Sequence, residues 1–250
     1  MTVDWSRYRA VLFDLDGVIT PTAEVHMRAW AQMFNDFLDS RGSDAQAPAP
    51  YTDADYFAHV DGKPRYDGVR DFLASRGIEL PEGTPEDPAD QPPGEETVCG
   101  LGNRKNAAFG QVLQAEGVSA YPGSRRLLDQ LREAGMPMAI VSSSKNAPDV
   151  LAAAGVTGYF PVVVHGGVAA ERGLKGKPAP DTYQEAAREL GVPESGAVVV
   201  EDATSGVAAG AAGDFALVIG VDRGVGHQAL TEAGADVVVD DLGELVSQEA

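Results

Sequence analysis

Cysteine occurs once in this 250-residue chain, at Cys99. One thiol cannot close an intrachain disulfide, so the fold must rest on its core, and a reducing, cytoplasmic setting is expected. Cys99 itself is expected to be an inert thiol. Long apolar runs are also missing. None approaches the roughly 18 residues that a membrane-spanning helix requires, and the opening stretch MTVDWSRYRA lacks the apolar segment of a secretion signal. No membrane partner is expected. Positive charge is in short supply: 19 Lys and Arg stand against 38 Asp and Glu, a formal net charge of −19. Such a field repels polyanions, which argues against nucleic acid as a partner. Lysine is the scarcest charged type, with copies only at positions 63, 105, 145, 175 and 177. A hydrophobic content of 44% is enough for a core, and the length allows one large domain or a core plus a smaller unit.

What the chain does have is VLFDLDGVIT, Val11 to Thr20. The run Val11-Leu12-Phe13 reads as a buried strand. It ends in two carboxylates, Asp14 and Asp16, followed by Gly17. In an extended segment, residues two apart share a side, about 6–7 Å from one another. Like charges at the mouth of a buried strand repel and are costly to desolvate. A bound cation is the usual offset, although a strand ending in a solvated acidic turn would look the same. Gly17 lets the chain turn without a β-carbon in the way.

Three later segments decide between these readings. MAIVSSSKN (138–146) is an apolar run that stops at a hydroxyl cluster and a lysine. LKGKPAPD (174–181) sets a lysine in a stiff, proline-rich loop before a helix. AVVVEDATSGVAAGAAG (197–213) is a strand ending in Glu201-Asp202, then a Gly/Ala-rich helix. Acid pair, hydroxyl, lysine and second acid pair follow in order, each where a strand should end. This set resembles the haloacid dehalogenase superfamily of phosphotransferases over the whole chain. The chemistry is coherent on its own terms. A free aspartate has a pKa of about 3.9, so Asp14 is expected to be ionised and able to attack phosphorus, giving an aspartyl-phosphate. Attack of an anion on an anion needs neutralisation. Mg2+ suits the oxygen set of Asp14, the Asp16 backbone carbonyl and Asp202, with Glu201 orienting the metal's waters or binding directly. Ser142 and Lys177 suit the equatorial oxygens of the transferring group. Asp16 is the candidate general acid and base.

Short apolar strands alternate with helices over 1–19 and about 120–250, near Ala10–Leu15, Met138–Val141, Val162–Val164, Ala197–Val200, Phe215–Ile219 and Val237–Val239. That alternation predicts an α/β fold, a doubly wound, mostly parallel, Rossmann-like sheet with catalytic groups at the carboxyl ends of its strands. Between them, 20–119 lacks strand signals and reads as an α-helical cap domain inserted after the first strand. One helix starts at Pro21-Thr22 and runs through Val25, Ala29, Met33 and Phe37; others are expected at Thr52–His59, Tyr66–Arg76 and Lys105–Glu116. Ile78–Gly100 carries five prolines and is strongly acidic. It cannot be a regular helix and is expected to be a mobile surface loop.

The cap segments ITPTAEVHMRAW, DGKPRYDGV and GLGNRKNAAF resemble those of the β-phosphoglucomutase family. The resemblance implies that His26, Arg65 and Lys105 bind substrate, with Arg65 on a second phosphate, and that Ser144, Lys145 and Asn146 help to hold that phosphate. It further implies interconversion of β-glucose 1-phosphate and glucose 6-phosphate through an aspartyl-phosphate and a sugar bisphosphate. Mg2+ is the implied cofactor, a glucose 1,6-bisphosphate-type molecule the activator, a small phosphorylated sugar the partner, and a monomer the expected state. The alternative is a Mg-dependent sugar-phosphate phosphatase with water as acceptor. Pro21, the residues flanking Arg65 and the extra proline-rich segment depart from the family pattern and bear on sugar preference. Without that context, His26 would read as a buried core histidine, and Arg65 and Lys105 as surface charges. The Gly-rich Ile219–Gln228 is a weak candidate for anion binding.

Overall fold

Six apolar segments of three to five residues pair into one parallel sheet. The computed structural model describes residues 3–41 and 49–247. The strands are β1 (Ala10–Phe13), β2 (Met138–Val141), β3 (Val162–Val164), β4 (Ala197–Glu201), β5 (Leu217–Val221) and β6 (Val237–Val239), in the order β3-β2-β1-β4-β5-β6. Alternate residues Ala10, Leu12, Ala139, Val141 and Val199 pack on one face against Tyr183, Ala186, Val207 and Ala209. Their neighbours Val11, Phe13, Ile140, Val198 and Val200 are also fully buried, so the second face is covered too. Burial on both faces is why the strands read as unbroken apolar runs rather than alternating ones. The chain leaves β1 for β2 and β3 on one side, then returns to β4 on the other. This places a topological switch point beside β1, where α/β sheets open a crevice at the strands' carboxyl ends.

The chain divides into two compact units, Met1–Thr22 with Val118–Ala250, and Ala23–Gly117. The first holds the sheet with α5 (Pro122–Glu133), α6 (Ala147–Ala153), α7 (Gly166–Arg172), α8 (Asp181–Leu190), α9 (Thr204–Ala212) and α10 (His227–Ala233). The second holds nearly all of α1 (Thr22–Ser40), and α2 (Asp53–Asp55) running into a wider turn at Tyr56–Val60, then α3 (Arg65–Ser75) and α4 (Val98–Glu116). Its core centres on Phe34, whose ring lies 4.1 Å from Phe72, 5.0 Å from Tyr51 and 5.3 Å from Trp30. Among the described residues, no helix is long and apolar enough to cross a membrane.

Three expectations need correction. β5 lies at Leu217–Val221, two residues beyond its expected start at Phe215. α4 begins at Val98 rather than Lys105, because the Thr97 hydroxyl caps it by accepting from Gly100 N at 2.9 Å. The stretch Ile78–Gly100 is irregular and largely exposed as far as Thr97, but its last three residues belong to α4 and its backbone is hydrogen-bonded to that helix. The carbonyls of Pro81 and Glu82 accept from Val98 N and Cys99 N, both at 3.0 Å, so the segment supplies partners for the otherwise orphaned first amides of α4.

Candidate active site

The sheet register lines up the candidate residues. Phe13 pairs with Ile140 on one side and Val200 on the other. The residues just beyond are Asp14 on β1, Val141-Ser142 on β2 and Glu201-Asp202 on β4, so three carboxyl ends converge. Asp14 N donates to Val200 O at 2.9 Å, extending the ladder into the acidic turn. Lys177, from the loop before α8, enters this cluster and is only 4% exposed. Its ammonium donates to Asp14 Oδ1 at 2.5 Å, to Val141 O at 3.2 Å and to Glu201 Oε1.

Glu201 is fully buried and fully engaged. Oε1 accepts from Lys177 and from the Tyr183 hydroxyl at 3.1 Å; Oε2 accepts from the amides of Asp202 at 2.9 Å and Ala203 at 3.0 Å. A carboxylate offers about four acceptor positions, and these donors fill them. Either role expected for Glu201, binding the metal directly or orienting its waters, would use an acceptor position that one of these donors now fills. Asp16 accepts from the Ser142 hydroxyl at 3.3 Å on Oδ2 and from the Thr22 hydroxyl on Oδ1. Ser142 Oγ in turn accepts from Ser144 N, and Ser144 Oγ from Asn146 N, both at 3.1 Å. These two contacts fold the 142–146 turn, in which Lys145 is exposed.

Gly17 is where the geometry most needs a missing β-carbon. Its φ is +87°, and a Cβ there would lie 1.8 Å from Asp202 Oδ2. The Gly17 carbonyl accepts from Arg223 Nε at 2.8 Å, and Arg223 lies 4.0 Å above the Tyr121 ring.

Electrostatically the cluster is over-supplied with negative charge. Burial pushes the Asp14 carboxyl well above its ordinary value, Glu201 and Asp16 push it further, and Lys177 opposes them. Burial works against the charge on Lys177, but Asp14 and Glu201 overcome it and hold the ammonium well above its ordinary pKa. Further positive charge at this site would favour the ionised form of Asp14. Carboxylate oxygens of Asp14, Glu201 and Asp202 lie within 4.8 Å of one another. An all-oxygen set with one lysine among these acids fits a hard divalent cation.

In the helical unit, Lys105 and His26 are both buried. The ammonium donates to His26 Nδ1 and lies 5.0 Å from the Trp30 ring centre and 5.2 Å from that of Phe109. His26 stacks on Phe109 at 4.0 Å. Arg65 belongs to a different cluster at the start of α3, its guanidinium 5.1 Å over the Tyr66 ring. Sequence reasoning missed Thr22 and Tyr183. Thr22 stands out only as a helix start, and Tyr183 only as a core residue of α8. The Gly-rich loop is no open anion cradle: Asp222 Oδ1 already accepts from Gly224 N at 2.8 Å and Gly226 N at 3.0 Å.

Residues 8–214 match the family model described as haloacid dehalogenase-like hydrolase. The chain is 49% identical over 245 residues to a β-phosphoglucomutase of Mycobacterium bovis, covering 96% of this chain and 92% of that one. It is 31% identical over 206 residues to hexitol phosphatase A of Escherichia coli, covering 82% and 80%. Its fold matches the crystal structure of a β-phosphoglucomutase from Clostridium difficile with a TM-score of 0.74 at 23% identity, covering 95% and 93%.

Proposed function

This chain belongs to the haloacid dehalogenase-like hydrolase family, in its β-phosphoglucomutase-like branch, and on that premise we propose that it interconverts β-glucose 1-phosphate and glucose 6-phosphate. The observation that carries the reading is the constellation of Asp14, Ser142, Glu201 and Asp202, buried at the ends of three adjacent strands, with buried Lys177 reaching in from its loop and half-buried Asp16 beside them. The likeness to the mycobacterial enzyme over 96% of the chain supports the choice of sugar.

In this reading a carboxylate oxygen of Asp14 attacks phosphorus in line with the sugar oxygen. The phosphorus–sugar oxygen bond breaks, and the departing oxygen takes a proton from Asp16. In reverse, Asp16 removes the proton from the accepting sugar hydroxyl, whose oxygen displaces Asp14. A phosphorylated Asp14 thus converts β-glucose 1-phosphate into the bisphosphate. The bisphosphate turns over and returns its C1 phosphoryl to Asp14, releasing glucose 6-phosphate. The hydrogen bonds from Ser142 and Thr22 hold the Asp16 carboxyl in place. The Lys177 ammonium and the Ser142 hydroxyl stabilise charge on the equatorial oxygens. Asp14, Asp202 and the Asp16 carbonyl would hold Mg2+, with Glu201 behind them. The ion would neutralise charge between nucleophile and phosphoryl group. Arg65 takes the distal phosphate, aided by Ser144, Lys145 and Asn146, while His26 and Lys105 meet the sugar phosphate.

Hexitol phosphatase A supports a second reading, a phosphatase in which water accepts the phosphoryl group. Phosphorus NMR with β-glucose 1-phosphate and a trace of glucose 1,6-bisphosphate separates the two. Accumulating glucose 6-phosphate supports the mutase; inorganic phosphate as the main product overturns it.

A further inference from the structure

The acidic, proline-rich stretch before α4 presents its backbone carbonyls to that helix in series. Beyond Pro81 and Glu82, Asn103 Nδ2 donates to Pro85 O at 3.1 Å and Asp87 O at 2.8 Å. Arg104 donates through Nε to Ala89 O at 2.9 Å and through a terminal nitrogen to Gln91 O at 2.7 Å. Thr97 closes the far end, its hydroxyl donating to Asp87 at 2.6 Å and its amide to Gln91 Oε1 at 3.0 Å. Prolines bar the stretch from forming a helix of its own, which leaves these carbonyls available. Arg104, a cation in a chain short of positive charge, is spent on this fastening.

Asn103 carries the fastening onward. Both hydrogens of its amide are taken by the segment, so its orientation is fixed and Oδ1 points one way. That oxygen accepts from the Tyr66 hydroxyl at 3.0 Å. The Tyr66 ring lies under the Arg65 guanidinium, and Arg65 donates to Gly102 O at 3.4 Å. Gly102 permits this closeness: a Cβ there would fall 2.8 Å from Tyr66 and 3.1 Å from Arg65. Segment, Asn103, Tyr66 and Arg65 thus form one continuous chain of contacts within the helical unit.

We propose that segment 81–97 is a brace that sets the position of Arg65, with Asn103 and Tyr66 as positioning residues; this rests on the reading of Arg65 as the distal-phosphate group. The stretch is then a determinant of sugar-phosphate affinity, although its own side chains need never meet the sugar. An arginine side chain otherwise samples many rotamers, and each lost on binding weakens affinity. Holding the guanidinium on a fixed ring removes much of that cost in advance.

The test is a double-mutant cycle read as KM and kcat for β-glucose 1-phosphate, with thermal melts of every variant. Asn103→Ala and Tyr66→Phe should each raise KM about 5- to 10-fold, the effect of one lost hydrogen bond near the binding group, and change kcat less. In an Arg65→Ala background neither should raise KM further. Tyr66→Phe deletes one oxygen and keeps the ring, so it carries the test if Asn103→Ala unfolds. Equal KM increases with and without Arg65, or no increase while Arg65→Ala is strongly impaired, would overturn the brace alone. A KM that Arg65→Ala leaves unchanged would remove the phosphate role of Arg65 and the brace with it.

Discussion

Replacing Lys177 by methionine probes the charge balance at the ends of β1 and β4. The ammonium serves Asp14 at 2.5 Å, Val141 O at 3.2 Å and Glu201, and lies almost wholly out of water. Methionine fills similar volume but leaves Asp14 and Glu201, 6% and 0% exposed, without it. Breaking a buried ion pair by removing one partner costs about 3–5 kcal/mol, a large part of the roughly 5–15 kcal/mol that holds a typical domain together. Urea unfolding in chelator at neutral pH should therefore show a loss of about that size. The pH dependence has a definite sign. Burial, then Glu201 and Asp16, raise the folded carboxyl of Asp14 above its unfolded value, so the folded state binds the proton first. Stability from this group rises as pH falls, from the raised folded pKa down to the unfolded value of about 3.9. Lys177 opposes the raise, so the variant gains more from acid than the wild type, and the deficit should narrow below neutral pH. Adding Glu201→Gln to Lys177→Met should restore part of the loss, because one surplus charge is gone. A deficit below about 1 kcal/mol, or one that widens in acid, refutes the reasoning.

Asp14→Asn keeps the shape of the side chain but not its nucleophile. Phosphoenzyme formation should vanish and turnover fall by several orders of magnitude, and a variant holding about a tenth of wild-type activity would take Asp14 out of its role. Excess chelator should silence the enzyme and Mg2+ revive it, with Asp202→Ala needing far more of the ion; undiminished turnover after exhaustive chelation counts against the metal assignment. Arg65→Ala should weaken sugar-phosphate use about 30-fold yet reduce labelling of Asp14 by acetyl phosphate much less, since that donor has no distal phosphate. Parallel losses in the two assays would make Arg65 part of the scaffold.

The sheet was legible because burial on both faces turns strands into short apolar runs, and because Gly17 and the two acid pairs mark where strands end. What escaped follows from the same physics. Phe215 is apolar enough to read as strand, but it packs its ring against Tyr183 at 6.1 Å and the ladder starts two residues later. Gly100 and Gly102 argue locally against a helix, yet α4 runs through both. Thr97 caps it, and Gly102 leaves room for Tyr66 and Arg65. The hydroxyls of Thr22 and Tyr183 reach Asp16 and Glu201 from residues 6 and 18 positions away in sequence, and no spacing rule announces such contacts.

The lysines show how far a scarcity argument reaches. Five in a chain of net charge −19 suggests that each survivor has a task. The structure divides them. Lys177 is buried among acids and Lys105 is buried between Trp30 and Phe109 beside His26, and both are cations removed from water. Lys63 is paired with Asp71 at 2.7 Å on the surface, and Lys145 and Lys175 are exposed. Exposed cations are screened within about 10 Å at 0.1 M salt, whereas buried ones keep most of their field. A protein whose overall charge repels phosphate can still attract it locally if its few desolvated cations lie where the anion arrives. Burial therefore separates Lys105 and Lys177 from the other three more sharply than proximity in sequence does.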